Sequence, residues 1–317
     1  MIHHSGFDEF QLIASHLAQR LFDPVPVVRL SVSKVAGDLL MNWNVALSCS
    51  SMLIPLLLTT LEDESPTNRE EIWNIWNEVG KKWLAEELER DHRLKEQVDF
   101  QAAEPPPDHY PSDIKRANFG CRKFISKVMF KLLPALKNDM GDWIVETRIK
   151  ASQLTYILIC HMEETAVICN HADTLLSLFF QGVKDSEASV MKNMCRAANV
   201  YGYFVPVSTW CPFISQRLLS QATYTDLMVV SHIISGSDPL HLKGNLEDLT
   251  LVLQDDTVCL TSNDAYLDCL LECCLAIIKV SSKDCALVSM HLFKIIVTID
   301  GLSMNPGKVF QMMFRFP

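Results

Sequence analysis

The sequence lacks the long apolar runs that a membrane-spanning helix needs. Its longest run is MLIPLLL, at residues 52–58, whereas a span takes about 20 apolar residues. The opening residues, MIHHSGFDEF, also lack the charged-then-apolar plan of a signal peptide. These two absences predict a cytoplasmic protein that makes no membrane contact.

Positive charge is scarce as well. The chain has 28 Lys and Arg against 38 Asp and Glu, which gives a net charge of −10. Proteins that bind nucleic acids carry a basic patch or stripe that neutralises phosphates. The balance therefore argues against nucleic acid as a partner, and it favours an acidic surface for soluble protein partners.

Motifs for nucleotide binding and hydrolysis are missing. The 11 glycines are spread singly, without the GxGxxG or GxxxxGK[ST] loops that cradle phosphates, and neither a GxSxG elbow nor an HExxH helix occurs. We therefore predict no catalytic, cofactor-binding or metal-binding residue and no enzymatic activity. A hydrolase whose site has no sequence motif remains the alternative.

The cysteines do not form a metal-binding pattern. Eleven of them, an odd number, are scattered through apolar segments such as LDCLLECCLAIIKV, and CxxC does not occur. Cys160 beside His161 and Cys169 near His171 are the closest approach to zinc-ligand spacing. Free cysteine buries readily, so the pattern favours core thiols in a reducing compartment over zinc ligands or disulfides.

What the sequence does have is helical periodicity along almost its whole length, which predicts an all-α fold. The predicted helices come mostly in pairs: Phe7–Phe22 and one from Pro26, Met52–Leu61 and Thr67–Ala85, Gly120–Lys137 and Trp143–Ile159, Asp173–Val183 and Ala188–Tyr203, Phe213–Ala222 and Thr225–Ile234, Leu240–Gln254 and Asp264–Val280, then Cys285–Ile299.

One arrangement of residues recurs through these pairs. An Asp in the turn precedes an Arg by six residues, and in two copies a Pro precedes the Asp by eight. A fourth turn keeps its Asp but has Met191 in place of the Arg. The recurring residues are Asp23, Arg29, Pro55, Asp63, Arg69, Pro134, Asp142, Arg148 and Asp185.

The spacing of about 40 residues, with these markers, resembles the HEAT repeat. Proline bends the first helix of each pair, the turn Asp accepts N–H groups at the start of the second helix, and the Arg pairs with the Asp of an adjacent repeat. The sequence thus predicts an α-solenoid of antiparallel helix pairs, stacked as a right-handed superhelix and joined by an Asp–Arg ladder.

The predicted domains follow from the spacing of the turns. The 79 residues between Asp63 and Asp142 equal one repeat plus an insertion, 81–118, which begins as a charged helical extension and continues as a Pro-rich loop. Residues 1–80 and 119–303 are predicted as repeats, degenerate towards the C-terminus, and 304–317 as a tail. Trp73, Trp76 and Trp83 share one helix face and are predicted to pack between helices. The alternative is a binding platform, with Trp83 as a partner anchor if it projects into the insertion.

Four strings are more specific than any repeat consensus: LIPLLLTTLEDESPTNREEIWNIWNEVGKKW, PPPDHYP, GCRKFISKVMFKLLPALKNDMGDWIVETRIKASQL and SNDAYLDCLLECCLAII. With these four strings in this order, the chain resembles the HEAT-repeat member of the dynein axonemal assembly factors. The resemblance implies a non-enzymatic scaffold for cytoplasmic preassembly of the dynein arms of motile cilia. Its implied partners are axonemal dynein chains, intermediate chains in particular, with chaperones and other assembly factors.

Two features depart from that family. Its members are much longer, and both ends of this chain differ from the expected pattern, so we expect a partial or variant form. The family offers no motif from which a partner-binding residue could be assigned. A karyopherin-like transport receptor, or a generic interaction adaptor, is the alternative, because acidic HEAT solenoids also serve in transport. Transport receptors need many more repeats than this chain supplies.

Overall fold

The computed structural model is helical throughout the residues that it describes. Those residues form 16 α-helices and two short 3₁₀ segments, and no strand occurs among them. The chain divides into two compact units, Met1–Glu164 and Thr165–Pro317. The described residues are 3–90, 105, 110, 115–163, 165–261, 263–282 and 284–302.

The first unit holds six helices, of which the second, α2, begins at a proline. Pro26 lies in the first helical turn, where the missing N–H has no helical partner anyway. The N-cap of α5 is Asn118, whose side chain accepts a hydrogen bond from Cys121 N. The helices are α1 His3–Arg20, α2 Pro26–Leu40, α3 Trp43–Leu58, α4 Pro66–Arg90, α5 Phe119–Asp139 and α6 Val145–Met162, with a 3₁₀ segment at Thr59–Glu62.

The second unit holds the remaining ten helices, several of them short. They are α7 Thr165–Asn170, α8 Ala172–Gly182, α9 Ala188–Phe204, α10 Val207–Gln221, α11 Tyr224–Gly236, α12 Pro239–Lys243, α13 Leu246–Gln254, α14 Asp256–Cys259, α15 Asp264–Val280 and α16 Ser289–Leu302, with a 3₁₀ segment at Cys285–Val288.

Most predicted helices agree with these bounds within a few residues, and α15 agrees at both ends. The predicted helix Leu240–Gln254 is wrong as a single element, because the chain turns at Gly244 and Asn245 between α12 and α13. The predicted starts at Met52 and Phe213 are too late, since α3 already begins at Trp43 and α10 at Val207.

Within each unit, the two helices of a pair pack against each other as antiparallel neighbours. The second helix of a pair also packs against the second helix of the next pair. In the first unit α2 packs against α3 and α4, α4 against α5, and α5 against α6. In the second unit α9 packs against α11, and α11 against α15. Stacking of successive repeat units on their neighbours is the defining feature of a solenoid.

The contact between α9 and α11 is close enough to require glycine on both helices. A Cβ atom on Gly202 would lie 2.0 Å from the carbonyl oxygen of Ile233, and one on Gly236 would lie 1.8 Å from that of Asn199. Each glycine therefore admits the backbone of the opposite helix. Fully buried Tyr201 and Phe179 pack edge to face on α9 and α8, with ring centroids 5.4 Å apart.

One segment of the second unit is long and apolar enough to cross a membrane. Residues Cys285–Leu302 have a mean hydropathy of 1.7, and 22% of this window is buried. No long uninterrupted apolar run marks this segment in the sequence, because Lys294 and Asp300 lie within the window. The finding concerns length and composition alone, which a core helix of a soluble protein also satisfies.

Candidate interaction surfaces

The turn aspartates all make the same local hydrogen bond. In each turn Oδ1 of the aspartate accepts the backbone N–H two residues further on, which forms an Asx turn. The helix N-caps are therefore other residues, such as Val25 and Ile144, and the expectation that the aspartates cap the helices is corrected. The bonds are Asp23 with Val25 at 2.9 Å, Asp63 with Ser65 at 2.8 Å, Asp142 with Ile144 at 2.8 Å and Asp185 with Glu187 at 2.9 Å.

The recurring arginines brace their own turns. In each of the three repeats Nη1 donates to the carbonyl oxygen of the aspartate six residues earlier. These bonds join Arg29 to Asp23 at 2.7 Å, Arg69 to Asp63 at 2.6 Å and Arg148 to Asp142 at 3.0 Å. The six-residue offset between Asp and Arg is thus explained within one repeat. It places the arginine near the start of the second helix, from where its side chain reaches the carbonyl oxygen of the aspartate in the preceding turn.

One arginine also joins two repeats. Arg29 Nε and Nη2 donate to the two carboxylate oxygens of Asp63 at 2.6 and 2.9 Å, and both side chains are buried. Burial alone would raise the pKa of Asp63, but the hydrogen bonds from Arg29 and from Ser65 N outweigh it, so this pKa lies below its usual value. The Arg29–Asp63 pair is a bidentate, charge-assisted link between the first two helix pairs.

The second arginine does not repeat that link. Arg69 is exposed, and its bonds go to the carbonyl oxygens of Asp63 and Glu64 in its own turn. In the third pair, Lys150 on α6 lies close enough to Asp63 for the two charges to affect each other's pKa. The described contacts therefore include one step of the expected ladder, Arg29 with Asp63. They include no bond from Arg69 to Asp142, which would be the next step.

The prolines lie inside the first helices of their pairs. Pro55 is within α3 and Pro134 within α5. Thr59 Oγ1 donates to the Pro55 carbonyl oxygen at 2.6 Å. A third case, Pro212 within α10, escaped the sequence analysis because the predicted helix began one residue after it.

A second, partly buried charge cluster lies where the chain returns from the insertion. Arg116 Nε and Nη2 donate to the Glu163 carboxylate at 3.0 Å, and Arg122 Nε lies 3.2 Å from Glu163 Oε2. Glu163 ends α6 with φ of 47°, a conformation that costs a non-glycine residue free energy. The two arginines hold the residue in place, so Arg116, Arg122 and Glu163 form a clasp that ties the end of the insertion to α6.

The tryptophan face of α4 is a packing seam, as predicted. Trp76 and Trp83 are 0% and 5% exposed, and their rings stack on Phe124 of α5 at 6.2 and 5.2 Å. Trp73 is half-buried, and the ammonium group of Lys115 covers its ring at 4.5 Å from the centroid. The residues just before α5 therefore pack on this face, next to the clasp.

An open groove lies on the second unit, between α11 and α15. It has a volume of about 730 Å³ and is lined by one face of each helix, with Met228, His232 and Ser235 from α11, and Cys269, Glu272 and Lys279 from α15. We call it the α11–α15 groove. Its mixed apolar and charged lining is typical of a protein-binding surface, in which apolar contacts give affinity and charges give specificity.

Burial suppresses charge on the titratable groups at the base of this groove. It lowers the pKa of His232, so that the imidazole is neutral at pH 7. It raises the pKa of the Cys269 thiol to about 11, with Asp268 and Glu272 adding to the effect. Glu272 and Lys279 are exposed and supply the groove with one charge of each sign.

The cysteines occupy the core, as predicted. Eight of the 11 are buried, and all 11 are free. Burial raises the pKa of Cys274 to about 12 and that of Cys195 to about 11, so these thiols are unreactive at neutral pH. Among the described residues no group of three or more His, Cys, Asp or Glu side chains could hold a metal ion.

Several structural residues escaped the sequence analysis. In the fifth pair, Thr223 and Asp226 form a capping box at the start of α11. Arg217 Nε donates to Asp226 Oδ1 at 2.9 Å, and its guanidinium group lies 4.1 Å from the Phe180 ring centroid. The TxxD spacing before an apolar run was the available signal. The clasp and the α11–α15 groove have no such signal, because they join residues distant in sequence.

The fold and its turns define a helical-repeat protein of the HEAT type. A family model described as the HEAT-repeat domain of dynein axonemal assembly factor 5 matches residues 108–303. A second model, described as dynein axonemal assembly factor 5-like TPR repeats, matches residues 1–97. Both repeat classes are built of antiparallel helix pairs.

Relatives from several animals give the same result. Dynein axonemal assembly factor 5 of Homo sapiens is 35% identical over 308 residues, which cover 97% of this chain and 35% of the relative. The Mus musculus protein is 34% identical over 92% of this chain and 33% of the relative. The Drosophila melanogaster protein is 25% identical over 76% of this chain and 27% of the relative.

The chain belongs to the dynein axonemal assembly factor 5 family. It spans about a third of the length of the curated relatives that it matches.

Proposed function

We propose that this chain is a non-enzymatic scaffold that binds protein partners during cytoplasmic preassembly of axonemal dynein arms. The observation that carries the proposal is the stack of second helices in the second unit, whose α11–α15 groove is open to a partner. Membership of a family named for dynein assembly supports the choice of partner. It also favours this function over a karyopherin-like transport receptor.

The partners we propose are axonemal dynein chains, intermediate chains in particular, together with chaperones and other assembly factors. An open helical surface of mixed charge suits folded or partly folded protein chains better than small substrates. Burial raises the pKa of the Cys269 thiol in the groove and lowers that of His232, which disfavours the thiolate that a nucleophilic cysteine needs. The proposed role therefore rests on binding and not on catalysis.

The turn residues have a structural role in this proposal. The Asx turns and their arginine braces fix the geometry of each helix pair, and the Arg29–Asp63 link holds two pairs in register. Residues 1–80 and 119–303 then act as repeat segments. The insertion, 81–118, begins within α4, which extends to Arg90, and ends at the clasp with Glu163.

The test is a pull-down from the cytosol of differentiating ciliated cells, with mass spectrometry of the retained proteins. The bait is the chain as described, alongside a Ser235→Arg variant that places a long cation in the α11–α15 groove. Ser220→Arg is the matched control, since Ser220 is exposed on α10 and lies outside the groove lining.

The proposal expects axonemal dynein chains and chaperones with the wild-type bait and with Ser220→Arg, and a loss of dynein chains with Ser235→Arg. Equal dynein recovery with both variants would remove the groove from the proposal. Recovery of transport factors and their GTPase in place of dynein would contradict the assembly function itself.

A further inference from the structure

The first unit contains a cavity that the scaffold function does not use. Its volume is about 400 Å³, and it lies among α1, α3, α5 and α6. Its wall is largely apolar and includes Ala14, Met52, Leu56 and Leu154, of which Ala14, Leu56 and Leu154 are buried. This volume falls within the range of cavities that hold small organic ligands, about 300–1,000 Å³.

Among the described lining residues Lys150 is the one Lys or Arg, and the polar part of the wall also includes Gln11, Gln19 and Thr147. Lys150 projects from the first turns of α6 and is half-buried. Three carboxylates act on Lys150 electrostatically, Asp63 more strongly than Glu64 and Glu62. Asp63 already accepts hydrogen bonds on both carboxylate oxygens from Arg29, and one of them from Ser65 N as well. Among the described contacts, Lys150 Nζ has no hydrogen bond or ion pair, although a half-buried ammonium group loses free energy without one.

The other charge at the cavity lies closer to solvent. Asp139, at the end of α5, lines the same cavity and is exposed. Although the residue as a whole is exposed, partial desolvation of its carboxyl group and the neighbouring Asp142 raise its pKa, so the site already disfavours negative charge there. An anionic ligand would therefore direct its charge away from Asp139 and towards Lys150.

We propose that this cavity binds a small amphipathic carboxylate, whose apolar chain packs between α1 and α3 and whose carboxylate pairs with Lys150. The apolar wall contributes the affinity for the chain, and the unpaired ammonium group selects the negative charge. A single cation in an apolar wall suits a monoanion, because a phosphate dianion would keep an uncompensated buried charge. Neither the repeat architecture nor the dynein proposal requires this site.

The probe for the test is decanoate, with decan-1-ol and decylamine as neutral and cationic controls of equal chain length. Binding to the full chain is measured by calorimetry, and the methyl resonances of methionine-labelled protein report the location, because Met52 lines the cavity. Lys150→Met removes the cation. Lys137→Met is the matched control, since Lys137 is exposed on α5 and lies outside the cavity lining.

We expect decanoate to bind and to shift the Met52 resonance, decan-1-ol and decylamine to bind more weakly, and Lys150→Met to weaken decanoate binding by about tenfold while Lys137→Met leaves it unchanged. Lys150→Arg should retain binding, which separates loss of charge from loss of fold. Decanoate binding that Lys150→Met does not weaken would overturn the proposal. So would an unshifted Met52 resonance in the wild-type protein at about 1 mM decanoate.

Discussion

At the scale of single residues, the recurring arginine has two roles: it braces its own turn, and at one position it also binds the next turn. Arg29 and Arg69 make nearly equal bonds to their own turns, at 2.7 and 3.3 Å for Arg29 and 2.6 and 3.2 Å for Arg69. Arg29 alone of these two also binds the carboxylate of the next turn. The difference between them isolates the bond that joins repeats.

That difference can be measured by substituting each arginine with methionine. We expect Arg29→Met to lower the free energy of unfolding by about 3 kcal/mol, because it leaves the Asp63 carboxylate buried without its partner. Arg69→Met should cost about 1 kcal/mol, the value of bonds to turn carbonyls at an exposed site. Urea unfolding of the two variants makes the comparison, and equal losses would show that the Arg29–Asp63 link adds nothing to the turn brace.

We expect His161 to cause part of the protein's loss of stability at acid pH. Burial lowers the pKa of His161 to about 4, and its ring lies against Trp73 and Trp76 at 5.8 and 6.2 Å. The unfolded chain binds a proton at a pKa of about 6.5, so it gains protons first as the pH falls. The stability that neutral His161 contributes is complete above about pH 6.5 and is lost as the pH falls towards 4.

The measurement is the free energy of unfolding of wild type and His161→Leu between pH 7 and pH 4.5. We expect the wild type to lose stability over this range more steeply than the variant, because leucine does not titrate. The exposed His241 on α12 provides the matched control, His241→Leu, which should keep the wild-type slope. A wild-type slope equal to that of His161→Leu would contradict the assignment.

At the scale of helices, the close approach of α9 and α11 gives the sharpest expectation. Gly202→Ala puts a methyl group against the Ile233 backbone, where only a shift of one helix can make room. We expect it to destabilise the protein by about 2 kcal/mol. Gly244→Ala is the matched control, since a Cβ there meets no atom within 4 Å. Calorimetric melting of both variants tests the contact. Equal melting midpoints for the two variants would contradict it.

Helix periodicity could be read from the sequence, because the apolar stripes of α9 and α15 follow the 3.6-residue repeat closely. The break at Gly244 and Asn245 could not, since apolar residues continue through it. The Asp and Arg markers were found by their offset, but the offset reflects the arginine brace within each turn, whereas the Arg29–Asp63 link depends on how neighbouring pairs stack. Stacking also creates the α11–α15 groove and the cavity beside Lys150, which no local pattern encodes.

At the scale of the whole molecule, we propose that a chain that spans about a third of the length of its relatives carries a partner-binding surface of its own. The second unit supplies the α11–α15 groove, and most of the match to the HEAT-repeat family model falls within that unit. A folded stack of helix pairs presents a surface without needing the rest of the array, because each repeat contacts only its neighbours.

The most direct measurement is the equilibrium binding of the purified chain to a purified axonemal dynein intermediate chain, by biolayer interferometry. We expect saturable binding that Ser235→Arg weakens by at least about tenfold and Ser220→Arg leaves unchanged. Absence of saturable binding to dynein intermediate and heavy chains alike, with a protein that melts cooperatively, would contradict it.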